Sequence, residues 1–254
     1  MTRPGDDRFM ERALILAERG RGRTSPNPLV GAVIVSSEGV VVGQGAHEFA
    51  GGPHAEVHAL DAAADRARGA TLYCTLEPCC HTGRTGPCVV RIVEAGVRRV
   101  VAAMPDPNPL VAGKGFAFLR SHDIDVSIGV GEPAARALNQ PFFTLITEHR
   151  PFVIAKAAVS ADGMIAASPG ARTQLTGTMA SRHAQRVRAE IDAIGVGSGT
   201  ILADDPLLTA RGAFRERALT RVIFDRRLRT PPSARVLSTA DAGPVIIVTT
   251  AVEA

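Results

Sequence analysis

Hydrophobic and polar positions in the first 130 residues alternate between helical and strand periods. An amphipathic pattern predicts a helix at 7–19, and LVGAVIVSSEGVVVGQGAH predicts two strands that turn near Glu38 and Gly39. Further elements are then predicted in this order: a helix from His54, a strand at 70–76, a helix from Pro87, the strand RRVVAAM, a helix near 112–121 and the strand DIDVSIGV. Such alternation predicts an α/β fold with a mostly parallel sheet and helices on both faces.

The pattern restarts after a predicted helix at about 133–146. Pro151 follows this helix, and PFVIAKAAVS then has the apolar character of a new strand, as PVIIVTT has further along. We therefore expect a domain boundary near 148–151, which divides the chain into domains 1–148 and 149–254.

Composition and charge narrow the class of protein. The chain has 45% apolar and 21% charged residues, which is typical of a soluble globular enzyme, and it has no apolar run of membrane-spanning length. A net charge of +4 suits an anionic partner, for which a small phosphorylated substrate is sufficient. The chain has no Trp and a single Tyr, whereas proteins that bind single-stranded nucleic acid usually stack bases on aromatic rings. We expect neither a nucleic acid nor a membrane as partner.

The densest chemistry lies between His54 and Cys88. His54, Cys79 and Cys88 supply one imidazole and two thiolates, which leaves the fourth tetrahedral position of Zn²⁺ open for a water that the metal acidifies. Glu56 follows the histidine by two residues. In zinc deaminases of nucleobases a glutamate that is not a ligand carries the protons, so the pattern predicts zinc with Glu56 as general acid/base.

Other interpretations of this segment stay open. All four cysteines fall within 15 residues: Cys74, Cys79, Cys80 and Cys88. Disulfides are not expected, because no apolar signal peptide precedes the fold and intracellular thiols stay reduced. A structural zinc would need Cys80 as fourth ligand, and helical spacing would also allow a site with His54 and His58. Cys74 lies in the apolar string ATLYCTLEP and is predicted to be a small buried side chain.

Several separate motifs resemble one family. They are TSPNPLVGAV (24–33), GAH (45–47), HAE (54–56), TLEPC (75–79), HTGRTGPC (81–88) and DPNPLVAGKG (106–115), followed by KAAVSADG (156–163) and GSGTILADDPLLTAR (197–211). These resemble the bifunctional deaminase/reductase of riboflavin biosynthesis. The eight residues between the two ligand cysteines differ from the PCxxC spacing of nucleic-acid-editing deaminases. The resemblance implies a cytidine-deaminase-like three-layer α/β/α domain and a partial α/β domain similar to dihydrofolate reductase.

For the first domain, the resemblance implies deamination of 2,5-diamino-6-ribosylamino-4(3H)-pyrimidinone 5′-phosphate. The positions that match the family's substrate pocket are Asn27, His47, His81, Arg84, Asp106 and Asn108. Amide and carboxylate groups suit the edge of a pyrimidine, and a guanidinium suits a phosphate.

For the second domain, the resemblance implies reduction of the ribosyl group to ribityl with NADPH. The cofactor positions that match are Lys156, Ser160, Asp162, Thr200 and Asp204, and the matching positions for the substrate phosphate are Arg188 and Arg211. The chain departs from the family at RTQLTG, where a tryptophan is usual, and it ends directly after PVIIVTT, so we expect a truncated reductase half.

The alternatives are a deaminase whose second domain is a non-catalytic remnant, and a nucleic-acid deaminase or structural zinc module. We also expect a homo-oligomer and a cytoplasmic location.

Overall fold

The structure is a computed structural model that describes residues 3–80, 86–109, 111–168 and 173–250. The chain divides into two compact units, Met1–Val153 and Ile154–Ala254, and each is described by itself. Among the helices of the described residues, none combines the length and the apolar character needed to cross a membrane.

The first unit holds a five-stranded sheet in the order β2-β1-β3-β4-β5. Its strands are β1 (Gly31–Val35), β2 (Val41–Ala46), β3 (Thr71–Cys74), β4 (Arg99–Ala102) and β5 (Asp125–Ile128). Its helices are α1 (Asp6–Ala17), α2 (Ala55–Ala63), α3 (Cys88–Glu94), α4 (Lys114–Arg120), α5 (Glu132–Leu138) and α6 (Gln140–Glu148). β1 is antiparallel to β2 and β3, whereas β3, β4 and β5 are parallel. The predicted order of elements is confirmed.

The sheet separates two apolar clusters because successive strand residues point to opposite faces. Ile34, Leu72 and Val100 face a cluster that contains residues of α2, α3 and α4. The next residues along β3 and β4, Tyr73 and Val101, face a cluster with residues of α1, α5 and α6. Helices cover both faces of the sheet, which explains why β3 and β4 carry apolar side chains on both faces.

Two glycines of β2 fix the distance between the sheet and α2. A Cβ at Gly43 would lie 2.2 Å from the carbonyl oxygen of Ala59, and one at Gly45 would lie 2.5 Å from that of Ala55. Only glycine allows the helix backbone to lie this close to the strand. The close contact places the first turn of α2, and His54 before it, at the edge of the sheet.

A buried ion pair joins α1 to the middle of the sheet. The Arg99 guanidinium donates to both carboxylate oxygens of Asp6 at 2.8 Å, and the Tyr73 hydroxyl donates to the same carboxylate at 2.8 Å. Only 2% of Asp6 and 3% of Arg99 are exposed. Burial raises the pKa of Asp6, but the hydrogen bonds from Arg99, the Arg3 backbone and Tyr73 outweigh it and lower that pKa to about 2.

The predicted helix at 133–146 is interrupted. α5 ends at Leu138, and Asn139 has φ −106° and ψ 16°, outside the helical region, before α6 begins. The Asn139 side chain accepts from the Leu29 N–H at 2.7 Å and donates to the Leu29 carbonyl at 2.8 Å. The Asn139 side chain at this break therefore holds the backbone of Leu29, two residues after Asn27.

The second unit has a parallel three-stranded sheet in the order β6-β7-β8. Its elements are α7 (Thr178–Glu190), β6 (Ala193–Gly197), α8 (Ser198–Asp204), β7 (Thr220–Phe224) and β8 (Val245–Val248). A small core of Ile201, Leu208 and Ile223 packs with Ala234 and Val236. The strand predicted for PVIIVTT is confirmed as β8.

The prediction of a strand at PFVIAKAAVS is wrong. Residues 151–160, all of them described, form neither helix nor strand. Val153 is 72% exposed, and both Ile154 and Val159 are more than half exposed. An apolar run forms a strand only where a neighbouring strand pairs with its backbone, and neither edge of the β6-β7-β8 sheet pairs with this segment.

We expect Asp6→Asn to lower the free energy of unfolding at pH 7 by about 3–5 kcal/mol, because the variant leaves the Arg99 charge buried without its counter-ion. The folded-state pKa of Asp6 lies below its unfolded value, so its stabilisation is present above pH 3.8 and is lost as the pH falls toward about 2. Urea unfolding measured from pH 7 to pH 2 tests both statements.

Glu132→Gln is the matched control, because the Glu132–Arg136 pair is largely exposed and should contribute less than about 1 kcal/mol. If Asp6→Asn cost no more than this control and kept the wild-type acid dependence, the structural role given to the buried pair would be wrong.

Candidate active site

Three side chains meet where β3, α2 and α3 converge. His54 directly precedes α2, Cys79 follows β3 by five residues, and Cys88 is the first residue of α3. The His54 Nδ1 atom lies 3.2 Å from the Cys88 Sγ atom and 3.5 Å from the Cys79 Sγ atom. The Cys88 N–H donates to the Cys79 sulfur at 3.3 Å, so the start of α3 faces that sulfur.

This donor set fits zinc. The three ligand atoms lie within 4.8 Å of one another. With the usual Zn–N and Zn–S bond lengths, a tetrahedral nitrogen–sulfur pair is separated by about 3.6 Å, which is close to the two distances found here. One imidazole and two sulfurs leave the fourth position for water or substrate, as in catalytic zinc sites.

Hydrogen bonds join the three ligand side chains and shift their pKa values. The hydrogen bond with Cys79 raises the pKa of His54 to about 9. A hydrogen bond from Cys88 is the main cause that lowers the pKa of Cys79 to about 4, and the same bond, together with burial, raises the pKa of Cys88. Imidazole and thiolate bind zinc in their deprotonated forms, so metal binding at this site is linked to proton release.

Glu56 lies in the first turn of α2 beside the three ligands. It is buried, and burial is the main cause that raises its pKa to about 7. A hydrogen bond from Cys88 to the same carboxyl group lowers this pKa, but by less than burial raises it. A carboxyl group whose pKa is close to neutral can both accept and donate a proton at physiological pH, as a general acid/base must.

Asn27 and His47 lie beside the zinc-ligand candidate His54. The Asn27 amide donates to His47 Nε2 at 3.1 Å, and His47 Nδ1 donates to the carbonyl oxygen of Pro53 at 3.0 Å. Burial lowers the pKa of His47, so the ring is neutral and the carbonyl fixes the proton on Nδ1. The His47 ring meets the His54 ring edge-on, with centroids 5.5 Å apart.

Asp106 and Asn108 lie in the loop between β4 and α4. Both are half-buried, and the Asn108 N–H donates to the Asp106 carboxylate at 2.8 Å. This loop is held by Glu77, a buried carboxylate that sequence reasoning missed. The signal was an acidic residue within the apolar string before Pro78. His81 and Arg84 lie outside the described residues.

The competing metal sites are not formed. Among the described residues, the only cluster with metal-ligand geometry is His54, Cys79 and Cys88. His58 is not part of it, and Cys80 packs against the apolar cluster of α2, α3 and α4. Cys74 is fully buried in that cluster, as predicted, and none of the four cysteines is in a disulfide.

The reductase candidates lie in the second unit in three groups. Ser160 and Asp162 form a hydrogen-bonded turn, and the Ser160 N–H donates to the Met164 carbonyl at 2.8 Å. Thr200 and Asp204 lie one turn apart on α8. Arg188 on α7 donates to the Thr209 carbonyl at 3.0 Å, and the nearby charge of Arg211 adds to the burial that lowers its pKa. Lys156 is exposed in the segment that forms no strand.

A second feature that sequence reasoning missed is a basic hollow of about 220 Å³ at the carboxyl end of β7. It is lined by Ser198, Phe224, Asp225, Arg226, Arg227 and Arg229. Arg229 donates to the Ser198 hydroxyl at 2.9 Å, which joins the loop after β7 to the start of α8. The signal was the run DRRLR directly after the apolar residues VIF.

Known proteins match both units. Residues 4–104 match the family described as the cytidine and deoxycytidylate deaminase zinc-binding region, and residues 151–254 match the RibD C-terminal domain. The riboflavin biosynthesis protein RibD of Aquifex aeolicus is 48% identical over 249 residues, which are 98% of this chain and 69% of that protein. The chain belongs to the bifunctional riboflavin biosynthesis deaminase/reductase family.

Solved structures of RibD proteins agree with this membership. Acinetobacter baumannii RibD, form 1, matches with a TM-score of 0.88 and 43% identity over 97% of this chain and 70% of its own. The deaminase/reductase of Thermotoga maritima matches with a TM-score of 0.90 and 40% identity over 98% of this chain and 71% of its own. This chain spans about two thirds of the length of such relatives, from 61% of RibD of Escherichia coli to 69% of the Aquifex aeolicus protein.

The expected fold class is therefore confirmed: a cytidine-deaminase-like domain and a domain similar to dihydrofolate reductase. The family combines a zinc-dependent deaminase with an NADPH-dependent reductase, which agrees with the zinc and NADPH that the resemblance implied.

We expect Cys79→Ser to lose most of the bound zinc and Cys80→Ser to keep it, because only Cys79 faces His54 and Cys88. Metal content of the two purified variants, measured by atomic emission alongside the wild type, tests this difference. Loss of zinc from Cys80→Ser would instead support a closed structural site.

Proposed function

We propose that the first unit deaminates 2,5-diamino-6-ribosylamino-4(3H)-pyrimidinone 5′-phosphate by hydrolysis. The observation that carries this proposal is the buried carboxyl group of Glu56 beside a three-donor zinc site. When bound by His54, Cys79 and Cys88, zinc supplies a Lewis acid that lowers the pKa of water to about 7. We place this deaminase in residues 1–148.

Glu56 moves the protons of the reaction. Its carboxylate accepts a proton from the attacking water and passes it to the amine nitrogen, so that a C–O bond forms, the C–N bond breaks and ammonia leaves. The raised pKa of Glu56 matches both transfers. Burial keeps other water away from the carboxyl group, which favours delivery of the proton to the leaving amine.

The surrounding polar groups suit a pyrimidine ring that carries several nitrogens. The neutral ring of His47, with its partner Asn27, and the carboxamide and carboxylate of Asn108 and Asp106 offer donors and acceptors for its edge. Arg84 and His81 complete the proposed substrate set, with Arg84 at the phosphate.

We propose that residues 149–254 carry the reductase part, in which NADPH reduces the ribosyl group to ribityl. Support comes from the match to the RibD C-terminal domain and from the placement of Thr200 and Asp204 on α8, whose first residue lines the basic hollow. Lys156, Ser160 and Asp162 are the further cofactor candidates, and Arg188 and Arg211 are the candidates for the substrate phosphate.

A deaminase with a non-catalytic second unit is the alternative. It is favoured by one observation: the segment that carries Lys156 forms no strand and exposes Val153 and Ile154.

A small phosphorylated pyrimidine, and not a nucleic acid, is the proposed partner. The single tyrosine, Tyr73, is buried in the core and cannot stack on a base, which supports this choice. A homo-oligomer and a cytoplasmic location stay predictions.

We expect Glu56→Gln to bind zinc at the wild-type level and to deaminate at least about 100-fold more slowly, because proton transfer is lost and the ligands are intact. Ammonia release and metal content are measured on the same preparation. Glu38→Gln, at an exposed turn, is the control and should match the wild type. Activity of Glu56→Gln within a few-fold of that control would mean that another group carries the protons.

We expect the zinc-loaded protein with the diaminopyrimidinone ribosyl phosphate and NADPH to form the ribityl product, which chromatography separates from the ribosyl compound. Accumulation of the deaminated ribosyl compound would favour the deaminase with a non-catalytic second unit. Recovery of untouched substrate would contradict the proposed deaminase.

A further inference from the structure

Glu77 stands between β3 and the zinc ligand Cys79, and only 3% of it is exposed. Its carboxylate accepts four backbone N–H bonds, from Asp106 at 3.2 Å, Gly113 at 2.9 Å, Gly115 at 2.9 Å and Phe116 at 3.2 Å. A carboxylate has about four acceptor sites, so each finds a donor. Charge-assisted bonds of this kind are about twice as strong as neutral ones.

All four donors belong to one stretch of chain, which runs from the end of β4 into the first turn of α4. Gly115 and Phe116 are the second and third residues of α4, whose N–H groups have no partner within the helix. A Cβ at Gly115 would lie 2.2 Å from the Pro78 carbonyl oxygen. The start of α4 therefore lies directly on the segment that carries Cys79.

The same stretch of chain carries the two pyrimidine-reading candidates. The Asn108 N–H donates to the Asp106 carboxylate, and the Asn108 carbonyl accepts from the N–H groups of Val111 at 2.8 Å and Ala112 at 3.0 Å. These local bonds fix Asp106 and Asn108 relative to each other. Between this loop and the strand end that leads to Cys79, the Glu77 carboxylate supplies four hydrogen bonds.

We propose that Glu77 is a positioning residue that sets how tightly the deaminase holds its pyrimidine, by keeping Asp106 and Asn108 in register with Cys79. This rests on the deaminase function proposed above. Glu77 acts through the loop backbone and its contacts are with N–H groups, so it affects substrate binding more than the proton transfer carried by Glu56.

The variant Glu77→Gln keeps the size of the side chain and changes its hydrogen bonding. The carbonyl oxygen of the new amide still accepts from two N–H groups, but its NH₂ group meets the other two N–H donors and pushes them away. We expect the KM of deamination to rise about tenfold, equivalent to about 1.4 kcal/mol, with kcat within about threefold of the wild type and zinc content unchanged. Amide hydrogen exchange in residues 106–116 should also become faster.

Tyr73→Phe is the matched control. It lies on β3 and removes one buried hydrogen bond, to Asp6, on the face of the sheet away from α4. It should lower thermal stability while KM and exchange at 106–116 stay at wild-type values. A rise in KM in this control equal to that of Glu77→Gln would reduce the effect to general destabilisation and overturn the proposal.

Gly113→Ala provides a second route if Glu77→Gln does not fold. Gly113 has φ +82°, and a Cβ there would meet nothing within 4 Å, so alanine strains the loop without a clash. It should raise KM with zinc unchanged. An unchanged KM in the folded variants, or a loss of zinc and kcat in place of the KM effect, would overturn the role of Glu77. A wild-type protein that fails to deaminate would instead overturn the proposed function.

Discussion

The candidate active site of the first unit depends on the burial of β3 between β1 and β4. Because both neighbours pair with it and helices cover both faces, its carboxyl end has little freedom. Thr75 continues the strand with a fully buried hydroxyl that accepts from the Gly31 N–H at 3.1 Å, and the Thr75 N–H donates to the Gly31 carbonyl at 3.1 Å. Glu77 and Cys79 follow within four residues. The end of a rigid strand thus positions both Glu77, which binds the loop before α4, and the zinc-ligand candidate Cys79.

Several buried charged groups of this protein are each held by more than one hydrogen bond, whereas burial dominates at Glu56. Asp6 has Arg99 and Tyr73, Glu77 has four backbone N–H groups, and Arg221 in the second unit donates to the carbonyls of Val236 and Thr239. Glu56 is as buried as Asp6, yet no arginine or set of backbone donors compensates it fully, so its pKa rises instead of falling. A buried carboxyl group of this kind costs stability, and the proton transfer proposed for Glu56 would account for its presence.

The sequence alone predicted the periodic elements and the zinc ligands because both are encoded locally. Strands of the first unit were found from apolar runs, and His54, Cys79 and Cys88 from spacing. The break at Asn139 and the clamp at Glu77 were missed because their partners, Leu29 and the loop 106–116, are distant in sequence. The segment 151–160 was misassigned for a related reason: apolar character can be read locally, whereas strand pairing depends on a neighbour that the local pattern does not contain.

The two units differ in whether their candidate residues contact one another. In the first unit the candidate groups bind one another: Asn27 contacts His47, His47 contacts the backbone before His54, and Glu77 ties the Asp106 loop to the Cys79 segment. Such mutual contacts preorganise a site before substrate arrives, which is what a hydrolytic reaction on a small rigid ring requires.

In the second unit the candidates fall into three separate groups, on the turn at 160–164, on α8 and at the Arg188 end of α7. The arginines of the basic hollow, which the first residue of α8 also lines, suit the phosphates of the nucleotide cofactor proposed for this unit. The candidate polar groups thus form one connected network in the first unit and separate groups in the second, and a small rigid substrate and a larger cofactor are proposed for them respectively.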